Sequence, residues 1–329
     1  MLIQVKNLSK SFKIFKREAG LGGAFKSFLN RKYEIFHALE DINLNVDSGE
    51  IVGILGENGA GKTTLIKLLV GLIHPTSGHT VVDGYIPWER KHSFLREISV
   101  VMGQKNQLWW DIPASESFLL NKSLYGIPDK DYEDTLNELV DLLDVREKLN
   151  VQVRRLSLGE RMKMEIIAAL LHKPKIVLLD EPTIGLDVIS QSKIREFVLH
   201  YNRVNKTTFL LASHYMNDIQ AMCKRVFVIH KGKSLYDGDF TTLVDKINPH
   251  RKLTFEFSST PNPSFIENLR LKYDFTFSNG ILTAELPVDQ MNRLISQLFK
   301  DDTPTIFTVE ELPVEDTMKS FFSNPEKFI

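Results

Sequence analysis

Short apolar runs, too brief to be membrane spans, mark the larger, N-terminal part of the chain. They cover residues 51–55, 98–102, 176–179, 209–212 and 226–229. Apolar runs of this length, bounded by turn residues, are typical of strands that are buried on both faces. The segments between them have helical patterns, such as LIKLLVGL after the first run. Strands that alternate with helices predict an α/β fold with a mostly parallel sheet.

A helical insertion interrupts this alternation between the second and third runs. Over about residues 105–171 the pattern of apolar and polar positions is helical and rich in charge. The pattern changes again near Asn248-Pro249-His250, where turn-forming residues indicate a domain boundary. We therefore predict a first domain over residues 1–246 and a second domain over residues 247–329.

The second domain has the pattern of a small α+β module. A strand (LTFEF), a helix (PSFIENLRL), a strand pair, another helix (VDQMNRLISQLF) and a last strand (TIFTVE) follow one another. Asn279-Gly280, between FTFS and ILTAEL, is a strong signal for a β-hairpin turn. The βαββαβ order predicts a ferredoxin-like fold.

Composition excludes several classes of function. The 329 residues carry 41 Lys and Arg against 42 Asp and Glu, whereas a general nucleic-acid-binding domain is clearly basic. The only cysteine, Cys223, allows neither a disulfide framework nor a cysteine metal site and favours a reducing compartment. The first residues lack signal-peptide features, and no apolar run reaches the ~18 residues of a membrane span. We expect a cytoplasmic protein that acts on membranes only through partners.

The strongest motif follows the first predicted strand. The letters GENGAGKT, residues 56–63, match GxxxxGK[ST], the loop that holds nucleotide phosphates between a strand and a helix. Its glycines let backbone N–H groups surround phosphate oxygens, while Lys62 reaches the terminal phosphates and the Thr63 hydroxyl binds Mg²⁺. The predicted ATP-binding residues of this segment are Gly56, Asn58, Gly59, Ala60, Gly61, Lys62, Thr63 and Thr64.

Polar residues follow three other predicted strands at their C-terminal ends, where parallel sheets bind ligands. Asp180, after IVLL, is placed to hold Mg²⁺, and Glu181 is placed to deprotonate an attacking water. His214 follows the fourth strand, and Gln104, whose amide can contact Mg²⁺ or water, follows the second. The alternative, acids that merely end a strand in solvent, is disfavoured by the phosphate loop.

Taken in order, these motifs resemble the ATP-binding subunit of an ABC transporter. The order is phosphate loop, Gln104, LSLGE, IVLLDEP, GLD and Ser213-His214, all within residues 56–214. The resemblance implies a P-loop ABC ATPase cassette with a RecA-like core, an antiparallel β subdomain and a helical subdomain. It also implies hydrolysis of ATP with Mg²⁺.

The same resemblance implies individual roles. Glu181 would be the general base, Gln104 and His214 would contact the γ-phosphate, and Asp187 would make a contact across a dimer. Phe12, in LSKSFK, stands where an aromatic ring stacks on adenine. The Mg²⁺ ligands would be Thr63, Gln104 and Asp180.

The stretch LSLGE resembles LSGGQ, the signature with which one subunit closes over ATP held by its partner. We therefore predict contacts in trans, within a homodimer, from Leu156, Ser157, Leu158, Gly159 and Glu160. Ser157 and Glu160 also have the spacing of a helix-capping box, and a helix N-terminus suits either a cap or an anion. Leu158 and Glu160 replace the usual glycine and glutamine. We expect two active sites, with a slow, degenerate site as the alternative.

Three further stretches narrow the branch of the family. A basic segment between Phe12 and Ile42 has apolar residues at helical spacing. Such a helix could bind anionic lipid headgroups or a permease, or its apolar face could pack on the cassette. Trp109 and Trp110 are candidate anchors for a permease. The ending LPVEDTMKSFF resembles ATP-binding subunits of ABC-2 exporters, including drug-resistance pumps.

The resemblance thus predicts a subunit that powers an ABC-2 exporter from the cytoplasmic face of the bacterial plasma membrane. Its partners would be a second copy of itself and separate transmembrane permease subunits of one or two kinds, without nucleic acid. The alternatives are the ATPase subunit of a polysaccharide exporter and a soluble ABC ATPase without a transport role.

Overall fold

The structure, a computed structural model, describes residues 1–15, 33–103, 105–257, 261–301, 304–311 and 313–328. They form two compact units, Met1–Asp239 and Phe240–Ile329. Within the described ranges no helix is both long and apolar enough to cross a bilayer. The predicted basic amphipathic segment falls largely in residues 16–32, outside the described residues.

The larger unit contains the strands predicted from the apolar runs. Its strands are β1 (Ile3–Phe15), β2 (Tyr33–Val46), β3 (Ile51–Leu55), β4 (Ser77–Val82), β5 (Ile98–Met102), β6 (Ile176–Asp180), β7 (Thr208–Ala212), β8 (Arg225–His230) and β9 (Lys233–Asp239). Its α-helices are α1 (Lys62–Leu69), α2 (His92–Glu97), α3 (Ala114–Tyr125), α4 (Asp129–Leu143), α5 (Leu158–Leu170), α6 (Val188–Asn205) and α7 (Met216–Met222). The five predicted strands correspond to β3, β5, β6, β7 and β8.

A six-stranded sheet forms the centre of this unit, in the order β5-β6-β7-β3-β8-β9. Neighbouring strands are parallel except β8 and β9. Every residue of β6 and β7 is buried, which explains the continuous apolar runs over residues 176–179 and 209–212. The predicted α/β fold with a mostly parallel sheet is therefore confirmed.

Two further substructures complete the unit. Strands β1, β2 and β4 form an antiparallel sheet in the order β2-β1-β4, and its inward side chains share one core with β3 and α1. Helices α3, α4 and α5 lie along the chain between β5 and β6. The RecA-like core with antiparallel β and helical subdomains, implied by the resemblance, is thus present.

The smaller unit has the ferredoxin-like order of elements. It contains α8 (Phe240–Ile247), β10 (His250–Glu256), α9 (Pro263–Arg270), β11 (Phe275–Ser278), β12 (Ile281–Pro287), α10 (Val288–Asp301), β13 (Ile306–Glu311) and α11 (Val314–Ser323). The sheet is antiparallel in the order β11-β12-β10-β13. Asn279 and Gly280 both have positive φ, as a two-residue hairpin turn of type I′ requires.

The units divide at residues 239 and 240, before helix α8 and not after it as the sequence boundary at residues 246 and 247 placed it. Helix α8 buries Phe240, Leu243 and Ile247 and packs against α11, the last helix of the smaller unit. A helix shares the unit against which it buries its apolar face, and the turn at Asn248-Pro249 marks only the end of that helix.

Candidate active site

The phosphate loop connects β3 to α1 and depends on glycine at two positions. A Cβ atom at Gly61, where φ is 116°, would lie 2.7 Å from the Ala38 carbonyl oxygen. A Cβ atom at Gly56 would collide with the Ile229 carbonyl oxygen. The loop is therefore pressed against neighbouring backbone, and only glycine fits there.

Lys62 is buried at the base of this loop. Its Nζ donates hydrogen bonds to the carbonyl oxygens of Gly56 at 2.7 Å and Glu57 at 3.2 Å. The same atom lies 4.0 Å from Glu181 Oε1. Burial lowers the pKa of Lys62, while the carboxylates of Glu181 and Asp180 oppose that shift. The ammonium is thus a fixed cation in a place poor in water, where its attraction for a phosphate is strong.

Asp180 and Thr63 form the second part of the site. The Thr63 hydroxyl donates to Asp180 Oδ2 at 2.8 Å, and burial raises the pKa of the Asp180 carboxyl. The other carboxylate oxygen, Oδ1, is buried and has no hydrogen-bond partner among the described residues. A buried carboxylate oxygen without a partner, beside a hydroxyl, suits a hard cation with oxygen ligands such as Mg²⁺. These residues therefore fit the metal that the sequence predicts.

Glu181 adopts an unusual backbone conformation directly after strand β6. Its φ is 56°, in the left-handed region that non-glycine residues seldom occupy. Its N–H donates to the Ala212 carbonyl at 2.8 Å, and its own carbonyl approaches Gly103 so closely that a Cβ there would collide. Such a conformation persists only where neighbouring structure imposes it. Gly103 is thus a site residue that the sequence analysis missed.

His214 meets Glu181 across the ends of β6 and β7. Its Nδ1 lies 2.8 Å from Glu181 Oε2, and its backbone N–H donates to the same oxygen at 3.4 Å. Glu181 and His214 are distant in sequence, but each follows the C-terminal end of a strand. The parallel pairing of β6 with β7 therefore brings them together. A carboxylate held between a histidine and a lysine has the geometry of a positioned proton acceptor.

These groups surround one cavity of about 460 Å³. Predicted residues that line it are Asn58, Gly59, Gly61, Lys62, Thr63, Thr64, Asp180, Glu181 and His214. Gly56 and Ala60 do not line it but shape the loop from behind. Gln104 lies outside the described residues, although its neighbours Gly103 and Lys105 line the cavity.

Phe36 lines this cavity and was not predicted, whereas Phe12 is not among the lining residues. The two rings are directly opposite each other in the β1–β2 pair and so share a face of that sheet. Phe12 is 37% exposed, Phe36 is 48% exposed, and Lys10 Nζ lies 5.0 Å from the Phe12 ring centroid. Phe36 could have been found only from its position opposite Phe12, and that position is known only once the pairing of β1 with β2 is known.

The signature stretch caps its own helix, α5. Ser157 Oγ accepts from the Glu160 N–H at 3.2 Å, and Glu160 Oε2 accepts from the Ser157 N–H at 2.9 Å. This is the predicted capping box. Lys148 Nζ lies 3.0 Å from Glu160 Oε1. The Ser157 N–H and Lys148 together lower the pKa of Glu160, so this carboxylate is ionised beside the helix N-terminus.

The signature and Asp187 are neighbours in this chain, and neither lines the cavity. Asp187 caps α6 by accepting from the Ser190 N–H at 2.9 Å, and also accepts from the Ser190 hydroxyl at 2.6 Å. A Cβ atom at Gly159 would collide with that same hydroxyl, and one at Gly185 would lie 3.2 Å from Leu158 Cδ2. Glycine at position 159 is thus required by packing against Ser190, and Leu158 fills space beside Gly185.

The paired tryptophans lie on the surface. Trp109 is 62% exposed and Trp110 is 44% exposed, and the guanidinium of Arg161 lies 5.1 Å from the Trp110 ring centroid. The adjoining Gln107 and Leu108 N–H groups donate to the buried Glu165 carboxylate at 2.9 and 3.2 Å. The backbone before the tryptophans is thus fixed to α5, while their rings remain accessible.

Comparison with known proteins agrees with this geometry. The sequence profile of the ABC transporter family matches residues 39–184, which include the phosphate loop, LSLGE and Glu181. The ABC transporter ATP-binding protein NatA of Bacillus subtilis is 36% identical over 214 residues, 65% of this chain and 87% of NatA. The bacitracin transport ATP-binding protein BcrA of Bacillus licheniformis is 30% identical over 298 residues, 89% of this chain and 94% of BcrA. A solved ATP-binding subunit of an ABC transporter has a TM-score of 0.61 at 25% identity, over 74% of this chain and 92% of its own.

Asp180→Asn should stabilise the nucleotide-free protein while abolishing stabilisation by ATP with Mg²⁺. The raised pKa of Asp180 means that folding favours the neutral carboxyl, so its stabilising contribution exists at low pH and is lost as pH rises through the folded-state pKa. We expect a gain in Tm of about 2 °C at neutral pH, by scanning calorimetry. The difference in Tm between the variant and the wild-type protein should become smaller as the pH falls toward the ordinary carboxyl pKa. A difference that does not change with pH would show that the charge of Asp180 is not its cause.

Phe36→Ala should weaken ATP binding about tenfold, because a ring that stacks on a base contributes ~1–3 kcal/mol. Phe36→Tyr, which keeps the ring, is the matched control and should bind ATP like the wild-type protein. Binding is measured by fluorescence titration with a labelled ATP analogue. Full affinity in Phe36→Ala, with loss only in Phe12→Ala, would place adenine on Phe12 instead.

Proposed function

Because the chain belongs to the ABC transporter family, as one of its ATP-binding and ATP-hydrolysing subunits, we propose that it powers an ABC-2 type exporter. Two copies close head-to-tail over ATP, and hydrolysis reopens them. The observation that carries this proposal is the convergence of Lys62, Asp180, Glu181 and His214 on one cavity beside the phosphate loop. Closure is driven by ATP only because ATP binds the closed state more tightly than the open one.

Each of these groups has a task in hydrolysis. Lys62 and the loop N–H groups hold the phosphates, and Thr63 and Asp180 are the residues that would hold Mg²⁺. When bound, Mg²⁺ neutralises charge that develops on the phosphate oxygens. Glu181 accepts a proton from the attacking water. The water oxygen bonds to the γ-phosphorus, while the bond between that phosphorus and the β–γ bridging oxygen breaks. His214, 2.8 Å from Glu181 Oε2, orients that carboxylate and faces the γ-phosphate.

The second copy supplies what the cavity of one chain lacks. Ser157 and Gly159 stand at the N-terminus of α5, a position suited to an anion, yet they do not line their own chain's cavity. We therefore assign them to the ATP of the partner copy. On closure the γ-phosphate takes the place of the Glu160 carboxylate at the Ser157 N–H. Lys148, 3.0 Å from Glu160, retains that carboxylate and limits its repulsion of the phosphate.

Two features support a membrane partner. BcrA, a bacitracin transport protein by name, is 30% identical over 94% of its own length, so its similarity extends through both units. Exposed Trp109 and Trp110 offer a rigid aromatic surface of the kind enriched at interfaces. We assign the transport path to separate permease subunits, as the resemblance to ATP-binding subunits of transporters implies. The chain then works on the cytoplasmic face of a bacterial plasma membrane.

Glu181→Gln tests the proposed function directly. We expect it to bind ATP, form a dimer on gel filtration and hydrolyse ATP at least ~100-fold more slowly, because a positioned base contributes about that factor or more. Lys62→Ala, which should lose ATP binding itself, is the control for nucleotide dependence. Wild-type turnover in Glu181→Gln would remove Glu181 from this role.

The partner is sought by pull-down of tagged Glu181→Gln protein, with ATP and Mg²⁺, from detergent-solubilised native membranes. We expect a polytopic membrane protein, whose recovery falls when Trp109 and Trp110 are replaced by Ser. Recovery of the ATP-locked dimer without a membrane protein, even after crosslinking, would favour a soluble ATPase. Recovery of a permease encoded with glycan-synthesis enzymes would favour polysaccharide export.

Lys148→Ala should lower kcat/KM for ATP about threefold, because an exposed ion pair contributes less than ~1 kcal/mol. The loss should vanish in the Glu160→Gln background, since no carboxylate then needs a cation beside the phosphate. The four proteins of this double-mutant cycle are compared by steady-state ATPase assay. Equal losses in both backgrounds would show that Lys148 acts independently of Glu160.

A further inference from the structure

A buried carboxylate behind the active site connects three segments that carry proposed site residues. Asp218, in the first turn of α7, has no exposed surface. Its Oδ2 accepts a hydrogen bond from the Thr183 hydroxyl, and its Oδ1 accepts one from Arg195 Nε at 2.7 Å. None of these three side chains lines the ATP cavity.

The first connection joins Asp218 to the base. Thr183 lies two residues after Glu181, in the turn that holds Glu181 at its positive φ. The Thr183 side chain is also fully buried, so its hydroxyl has no water to bind and depends on Asp218. Asp218 thus fixes the far end of the turn, while the Glu181 N–H, bonded to Ala212 at 2.8 Å, fixes the near end.

The second connection joins Asp218 to His214. The Asp218 backbone N–H donates to the Tyr215 carbonyl at 3.2 Å, so Asp218 belongs to the turn that directly follows His214. One side chain therefore spans the Glu181 turn and the His214 turn. A shift of either turn changes the 2.8 Å separation of His214 Nδ1 from Glu181 Oε2.

The third connection reaches Asp187 through Arg195 and Gln191, both on α6. Arg195 also donates to Gln191 Oε1 at 3.1 Å, and Gln191 Nε2 donates to the carbonyl oxygens of Thr183 and Leu186 at 3.3 Å each. These bonds hold the backbone just before Asp187 and the start of the helix that it caps. The charge of Asp218 is compensated by Arg195, whose side chain is 19% exposed.

We propose that Asp218, held by Arg195, is a positioning residue for ATP hydrolysis that keeps Glu181, His214 and Asp187 in one arrangement. The proposal rests on the proposed role of Glu181 as general base. The network acts through the backbone conformation of the Glu181 turn, not through contact with ATP. The hydrogen bonds run from the Leu186 carbonyl through Gln191 and Arg195 to Asp218 and on to Thr183. The backbone joins Leu186 to Asp187 and Thr183 to the Glu181 turn, so a movement of the proposed dimer contact at Asp187 would reach the base by this route.

Thr183→Val and Thr183→Ser form a matched pair for the test. Valine keeps the shape and removes the hydroxyl, whereas serine keeps the hydroxyl that donates to Asp218. We expect kcat to fall about 10–100-fold in Thr183→Val, because small misplacements of a catalytic group have effects of this size. Thr183→Ser should stay within about threefold of wild type. The Kd for ATP should change less than about threefold in both, since the phosphate loop is untouched.

Arg195→Lys provides a second variant should Thr183→Val fail to fold. It keeps the positive charge but removes the Nε donor, and we expect the same fall in kcat with Kd preserved. Ser192→Ala is the control on the same helix, because it removes the hydroxyl that donates to Glu196 at 3.0 Å but touches nothing in the network. It should leave both kcat and Kd unchanged.

The outcomes separate this proposal from the proposed function. If Glu181→Gln is inactive while folded Thr183→Val and Arg195→Lys turn over at the wild-type rate, the positioning role is wrong and the function stands. A lowered Tm with unchanged kcat per folded protein would likewise overturn it, since a purely structural role predicts that result. If Glu181→Gln turns over normally, the proposed function fails. A selective fall in kcat, rescued by serine, supports the positioning role.

Discussion

The parallel pairing of β6 with β7, and of β7 with β3, is the constraint on which the rest of the active site depends. Because parallel strands end at the same edge, the residues that follow them meet there, although they are far apart in sequence. Lys62 follows β3, Asp180 ends β6 and His214 follows β7. The 2.8 Å contacts of Asp180 with Thr63, and of His214 with Glu181, are the local result.

This arrangement buries the charged side chains of Lys62 and Asp180, which destabilises the nucleotide-free protein. Binding of ligands with the opposite charge offsets that destabilisation. Burial lowers the pKa of Lys62 and raises that of Asp180, so it makes the charged form of each side chain less favourable than it is in water. A bound phosphate would oppose the shift at Lys62 and a bound divalent cation would oppose the shift at Asp180, because each supplies the opposite charge within a poorly hydrated cavity. The site is therefore less favourable to folding than an apolar core and more favourable to binding, the usual compromise at functional sites.

A set of hydrogen bonds behind the cavity links it to the surface that we propose meets a partner copy. The signature helix and the Asp187 segment pack so closely that Gly159 admits no side chain beside Ser190. Asp218 and Arg195 then connect that segment to the turns of Glu181 and His214. The turns that carry Glu181 and His214 and the proposed dimer contact at Asp187 are thus connected by one set of hydrogen bonds and the backbone between them.

The sequence by itself determined five strands of the central sheet, the phosphate loop and the ferredoxin-like order, because apolar periodicity and turn residues are local signals. It also predicted Lys62, Thr63, Asp180, Glu181 and His214 as site residues, since each lies in a motif or at a strand end, and all five line one cavity. Tertiary structure alone decided that Phe36 joins the cavity, that Gly103 must lack a side chain and that α8 belongs to the smaller unit. These depend on strand register, backbone approach and the burial of a helix face, which arise between segments distant in sequence.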